Sequence, residues 1–491
     1  MAEQDPDPRS MMPPNAHPEV NSAAIMLGAA EDADSSMPVA TQVKLLEHIS
    51  TARGCSEYKL TDPHSYISSH PQLVESCAPY PFRSGPNFRA YHAQKSAAWS
   101  PDGKCILQLG EDKCLRAHAV FRKFVWPLLY GCLDNLSKAQ QPLSHLIGVH
   151  EAPETIGAFA ASPYFNCDEP ESMLVLASVK EEPIRLFNVN NPGAKLHASY
   201  HVLYETDDVM HVTVDCIKFL PDTVHFLAAG DNCLALFDIT RYDAKPVVQL
   251  YTHNKYRKKN RLNPLALGGR ISTVDYRDDG LLAVGSWASR IGFYDDFGKG
   301  EVLAIDQMSD TRGPGFADGI QTVRWSPDGN YLYVAEPNTD FITILDVRMA
   351  GRKVTFLTGR NAWSKQRHGF DLVFDDNGHH VIAGGSDGAV RVWHNPTRRS
   401  EGNTGPSIEW QAHDDHIAAV AVNPRWADVV ATTAGSRHFP VEEDYDTSDS
   451  SDADEDSVTV DNSSEVEPRR NGGANELNAP VPDGWMKIWR C

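Results

Sequence analysis

The chain has no uninterrupted apolar run of 18 or more residues, so no segment reads as a membrane-spanning helix. Its nine cysteines include no Cys-x-x-Cys pair. An odd, scattered set fits neither a disulfide framework nor a zinc site, and it points to a reducing compartment. No basic stretch followed by an apolar block stands near the N-terminus, so no secretory signal is expected. Walker A, G-x-G-x-x-G after a strand, and H-E-x-x-H are all missing. These absences set aside secreted mini-scaffolds, membrane proteins and the commonest nucleotide and metal enzymes.

Positive charge is also scarce. Lys and Arg total 45 against 66 Asp and Glu, a formal net charge of −21 over 491 residues. The deficit is local. Residues 1–40 hold seven acids and one base, and residues 440–468 hold twelve acids and no base. The body is close to neutral, with no global basic field for nucleic acid. Both acidic stretches are too polar to fold alone. The sequence therefore predicts a disordered tail over 1–56, with a short amphipathic helix over 41–52. It also predicts a disordered acidic insertion over 441–480.

From residue 95 onward one pattern recurs: a short apolar strand, a turn such as Ser-Pro-Asp-Gly, a second strand, a polar turn, and a third strand. Ala97-Ala-Trp-Ser-Pro-Asp-Gly103 begins the first copy, and Gln321-Thr-Val-Arg-Trp-Ser-Pro-Asp-Gly329 lies in the fifth. The equivalent third-strand positions are His118, Phe187, Phe237, Tyr294, Leu345, Trp393 and Trp489. Most spacings lie slightly above the 40–45 residues of a WD40 blade. Seven copies predict an all-β, seven-bladed WD40 β-propeller over 57–491, with a short polar outer strand expected in each blade. The seventh copy ends on its third strand. A strand near 71–78 is expected to complete it, closing the ring and removing its free edges.

Few motifs suggest chemistry. Gly384-Gly-Ser-Asp-Gly388 matches a nucleophile elbow, but that chemistry needs a helix after Ser386, and Ala389-Val-Arg-Val-Trp393 reads as a strand. It is a hairpin turn. His413 and His416 could be partners in a triad or metal site, but Ala412-His413 occupies the place of the Gly-His dipeptide that precedes an inner strand, and the structural reading leads. No catalytic residue, metal ligand or cofactor is expected.

One dense basic run, Lys255-Tyr256-Arg257-Lys258-Lys259-Asn-Arg261, joins copies three and four. Its bases could track phosphates while Tyr256 stacks on a base. It reads equally as a nuclear import signal or a solvated loop. Arg360, Lys365, Arg367 and His368 lead into copy six, on what should be the same rim. Ser451, three residues before Asp454, has the spacing of an acid-directed phosphorylation site. The acidic insertion is a solubilising loop, a docking segment for a basic partner, or a competitor for the basic run.

Several stretches together resemble the telomerase Cajal body WD-repeat protein family, which includes fungal members linked to pre-mRNA splicing. They are Ser84-Gly-Pro-Asn-Phe88 leading into Trp99-Ser-Pro-Asp-Gly103, Glu182-Pro-Ile-Arg-Leu-Phe187, and Gln366-Arg367 before Phe370-Asp371. Gly384–Trp393 and Ala431-Thr-Thr-Ala-Gly-Ser-Arg-His-Phe-Pro440, with acids following, complete the set. The resemblance implies a non-catalytic nuclear scaffold that binds small nuclear or small Cajal body RNA and RNP proteins. Its partners would also include a chaperonin for folding, with no membrane, and the chain would act as a monomer within a larger complex. The basic run looks longer here than in the family. A protein-only WD40 adaptor for complex assembly is the alternative reading.

Overall fold

The computed structural model describes residues 71–77, 93–120, 144–191, 196–204, 210–242, 245–252, 267–300, 302–308, 319–349, 352–375, 378–398, 405–436 and 486–491. The predicted tail, the helix over 41–52, the basic run at 255–261, Ser451 and the insertion at 441–480 lie outside them.

Seven four-stranded antiparallel sheets form the blades of a β-propeller. Blades one to six each use four consecutive strands. Their inner strands are Gln94–Trp99, Ile156–Ala161, Val214–Phe219, Ile271–Tyr276, Thr322–Trp325 and Phe370–Asp375. Blade seven uses Ile417–Val422, Val429–Ala434 and Met486–Arg490, and takes its outer strand from Gln72–Cys77. That strand pairs antiparallel with Met486–Arg490 from Gln72↔Arg490 to Cys77↔Met486, with a register shift between Leu73 and Glu75. The expected closing strand is thus present.

The repeated sequence grammar has a local physical cause. Asp102 accepts from the Lys104 amide at 3.1 Å, and Gly103 turns the chain at φ +71°. Asp328 accepts from the Asn330 amide at 3.2 Å, and Gly329 sits at φ +65°. Second strands such as Cys105–Gly110 are buried along their whole length. They pack on both faces, so they read as apolar runs without alternation.

Seven apolar clusters lie among the described residues, one at each junction between neighbouring blades. The junction of blades one and seven joins Trp99 and Ile106 to Ala421, Ala431, Met486 and Ile488. Polar contacts cross the same junction. Trp99 Nε1 donates to the Ala421 carbonyl at 3.0 Å, and Asn423 Nδ2 donates to the Gly103 carbonyl at 2.8 Å.

The outer strands depart from the expectation of short, polar segments. Blade one's runs for eight residues, Ser144–Glu151. Leu303 and Val354 stand exposed on the outer strands of blades four and five. On the outer strand of blade four, Val302 and Ile305 still pack inward against the junction of blades three and four.

Candidate functional site

In an up-and-down sheet, turns between second and third strands open on the same rim as connections from an outer strand to the next inner strand. Thr252 and Leu267, the loop over 358–369, and Ser436 and Met486 all lie toward that rim. Of the connections on that rim longer than a tight turn, the loop over 358–369 is described in full.

This loop is pinned along its length. The Asp340 carboxylate accepts from the amides of Gly359 and Asn361 at 2.9 and 3.0 Å, and its carbonyl accepts from the Arg360 amide at 2.8 Å. Asn361 Nδ2 donates to Asp387 at 2.7 Å, and Ser386 Oγ donates to the Asn361 carbonyl at 2.6 Å. Thr339 and Ala362 form a β-bridge. Gln321 Nε2 donates to the Gln366 carbonyl at 2.8 Å.

Arg360 and His368, expected on the surface, are both fully buried. Arg360 Nη1 donates to the Glu336 carbonyl at 3.0 Å, and its Nη2 donates to the His368 carbonyl at 2.7 Å. Burial pulls the guanidinium down to about 10. His368 packs against His416 with ring centroids 4.0 Å apart and planes tilted by 59°, and it bonds Ser364 Oγ at 3.2 Å. His416 Nε2 donates to the Arg367 carbonyl at 3.0 Å. These two surface assignments are therefore corrected: Arg360 and His368 hold the loop from beneath, Arg360 through two backbone carbonyls and His368 through Ser364 Oγ. Lys365 is exposed and Arg367 is half-buried, so they remain within reach of a ligand.

Replacing Arg360 by Met should cost about 2–4 kcal/mol, because two buried carbonyls lose their donors. Lys365→Ala should stay within about 0.5 kcal/mol. Paired urea unfolding curves measure both, and equal midpoints would contradict this account of the loop.

The structure adds a residue the sequence reading passed over. Trp363 is 64% exposed at the crest of the pinned loop. Its signal was a tryptophan outside the repeat grammar, in Asn361-Ala-Trp-Ser364. Indole exposed on a fixed backbone offers a stacking or docking face at little conformational cost.

Ser386 lies on the hairpin between Gly378–Gly384 and Ala389–His394, the turn that the sequence indicates. Gly388 sits there at φ +77°, and a Cβ would meet the His413 carbonyl at 2.0 Å. His413 Nε2 bonds Thr432 Oγ1 at 2.7 Å, and Trp489 Nε1 donates to the same oxygen at 2.9 Å. Both histidines are thus part of the blade framework.

A WD40 model, described as "WD domain, G-beta repeat", matches residues 367–394. The chain is 30% identical over 354 residues to Guanine nucleotide-binding protein negative regulator 1 of Schizosaccharomyces pombe, covering 71% of this chain and 81% of that protein. It is 25% identical over 348 residues to human Telomerase Cajal body protein 1, covering 70% of this chain and 57% of the human protein. Protein SWT21 of Kluyveromyces lactis is 23% identical over 239 residues, covering 47% of this chain and 55% of that protein. The WD40 match, the seven-bladed framework and these relatives agree: the chain belongs to the WD-repeat propeller family that includes the Schizosaccharomyces pombe regulator and Telomerase Cajal body protein 1.

Proposed function

We propose that this chain is a non-catalytic nuclear scaffold that binds small nuclear or small Cajal body RNA, or the corresponding ribonucleoproteins, on the rim carrying the loop over 358–369. The observation that carries the reading is Trp363, exposed on a loop pinned by buried groups and followed by the exposed Lys365. A rigid aromatic face beside cations is what single-stranded RNA needs, a stacking platform with charge for its phosphates. The name of the human relative, which refers to telomerase and the Cajal body, supports a nuclear ribonucleoprotein setting. In this reading Lys255, Arg257, Lys258, Lys259 and Arg261 add phosphate contacts, Tyr256 stacks, and Arg367 lies between rim and channel. Phosphate on Ser451 would deepen the negative charge of the insertion and its competition for those bases.

The test is RNA crosslinking in living cells, purification under denaturing conditions and sequencing of the attached RNA. Recovery of small nuclear or small Cajal body RNAs is expected. Neutralising the five bases of the run should flatten the salt dependence of RNA binding by about three units of slope. Trp363→Ala should weaken binding by about 1–3 kcal/mol without changing that slope. Because an exposed tryptophan also anchors protein partners, recovery of no RNA, with partner proteins lost in Trp363→Ala, would establish the adaptor reading instead.

A further inference from the structure

The inner strands of blades three to six carry an alternating series, Lys218, Asp275, Arg324 and Asp371, at equivalent register positions: Lys218↔Leu227, Asp275↔Ala283, Arg324↔Tyr333 and Asp371↔Ile382. Lys218 pairs with Asp275. The other oxygen of Asp275 accepts from the Trp325 amide at 2.7 Å, and Asp371 accepts from the Val422 amide at 3.0 Å. Arg324 lies between Asp275 and Asp371, which hold its guanidinium charged. Two cations face two carboxylates, so this layer is electrically balanced.

The layer above it, at the start of the inner strands, is not balanced. Arg367 leaves the rim loop of blade six and reaches past blade five, where Nη2 donates to the Ser272 carbonyl of blade four at 3.4 Å. Lys95 rises from the inner strand of blade one, and its Nζ donates to the Ile156 carbonyl at 2.6 Å. Each is half-buried. Among the described residues neither forms an ion pair with a carboxylate. Their neighbour Arg270 is already held by Asp215, through Nη2 at 2.6 Å and through Nε.

Burial, and next the charge of Arg367, lower Lys95 to about 8; Glu111 and Asp215 oppose that shift and Arg270 adds to it. Lys95 of blade one and Arg367 at the entry to blade six, two half-buried cations of one layer with no ion-paired carboxylate among the described residues, are the arrangement that a bound anion relieves.

We propose that the mouth of the central channel is a binding site for a phosphate-class anion, seated between Lys95 and Arg367. A free phosphate ester and an RNA phosphodiester present the same oxygens, so the site does not depend on the RNA reading. The guanidinium fork of Arg367 would take two oxygens of one phosphate, and Lys95 would supply a point charge opposite. The bound anion would also restore the proton that Lys95 holds weakly when the site is empty.

The experiment is calorimetric titration of the full chain with inorganic pyrophosphate at pH 8, in two buffers of different ionisation enthalpy. Sodium chloride at equal ionic strength is the control. Saturable binding is expected, with proton uptake, and at least tenfold weaker in both Arg367→Gln and Lys95→Gln. Proton uptake should be lost in Lys95→Gln and kept in Arg367→Gln. Unchanged melting temperatures without anion identify the variants as folded. No saturable heat, equal affinity in folded variants, or the same response to chloride overturns the site.

A single-stranded RNA oligonucleotide is then added as competitor. Displacement of pyrophosphate assigns the site to RNA phosphates. Independent binding assigns it to a free anion and leaves the rim reading to its own crosslinking test.

Discussion

Deleting residues 57–92 should abolish the single cooperative thermal transition of the propeller. The reason is the strand Gln72–Cys77, which supplies the outer edge of blade seven. Without it Met486–Arg490 has a bare edge, open to pairing with another chain. The loss falls at the seam where distant parts of the sequence meet. Val74 packs with Trp99, Ile106, Ala421, Ala431, Met486 and Ile488 at the junction of blades one and seven. The Trp99 to Ala421 bond and the Asn423 to Gly103 bond cross that seam as well.

Every other junction joins blades adjacent in sequence, whereas this one closes a loop of more than 300 residues. Closure entropy grows slowly with length, but it must still be met by contacts at the seam. Val74→Asp tests the same point without truncation. A carboxylate placed against that cluster should cost about 2–4 kcal/mol. Leu73→Lys, at a half-exposed neighbour, should cost no more than about 0.5 kcal/mol. Calorimetry of the three variants decides the matter: a deletion that melts like the intact chain, with the same enthalpy, would mean the strand is ornamental.

The ring was legible in the sequence because its grammar is local. Ser-Pro-Asp-Gly turns, buried second strands and aromatic third-strand ends each follow from chemistry within a few residues. They placed blades one to seven within a residue or two of where they stand. The closing strand was legible from topology, since seven copies with an incomplete last sheet need an edge from elsewhere.

The site was harder to read. Arg360 and His368 looked like rim cations because residue type suggests exposure, while their burial depends on Glu336 and His416, distant in sequence. Trp363 carried the opposite signal, since a large aromatic in a loop suggests core. Only the Asp340 and Asn361 bonds, which leave the indole outside, reverse that expectation. Lys95 and Arg367 lie 272 residues apart in the chain, and no spacing rule could join them before the ring was closed.

Acidification should unfold the propeller through the His368–His416 pair. Burial pushes His368 down to about 2, with the neighbouring charges of His416 and Arg360 adding to it. Burial also pushes His416 down to about 4. Both imidazoles are therefore neutral in the fold at pH 7. In the unfolded chain each returns to its ordinary value near 6.5 and takes up a proton there. Above pH 6.5 neither state is protonated and the stability is complete. As the pH falls from about 6.5 toward 4 the unfolded state binds protons that the fold refuses, so stability drops through that window. Two such groups give a slope of about 3 kcal/mol per pH unit.

The geometry leaves the pair no easy escape. The rings are 4.0 Å apart, so the first proton would sit beside a second imidazole and close to the buried Arg360. Asp387 near His368 and Asp415 near His416 oppose these shifts without cancelling them, and Nδ1 of His416 and Nε of Arg360 have no hydrogen-bond partner. Below about pH 4 carboxylates such as Asp387, held low by Arg391 and by hydrogen bonds, begin to add their own loss. The histidine window is therefore read above that point.

Urea unfolding between pH 7 and 4.5 measures the slope. His416→Gln keeps an amide donor for the Arg367 carbonyl and removes one titrating group, so its slope should fall by about 1.4 kcal/mol per pH unit. The other lowered imidazoles, His118 and His379 among them, act equally in both proteins and cancel in the comparison. Parallel slopes for the native chain and His416→Gln would show that the pair accepts its proton in the folded ring.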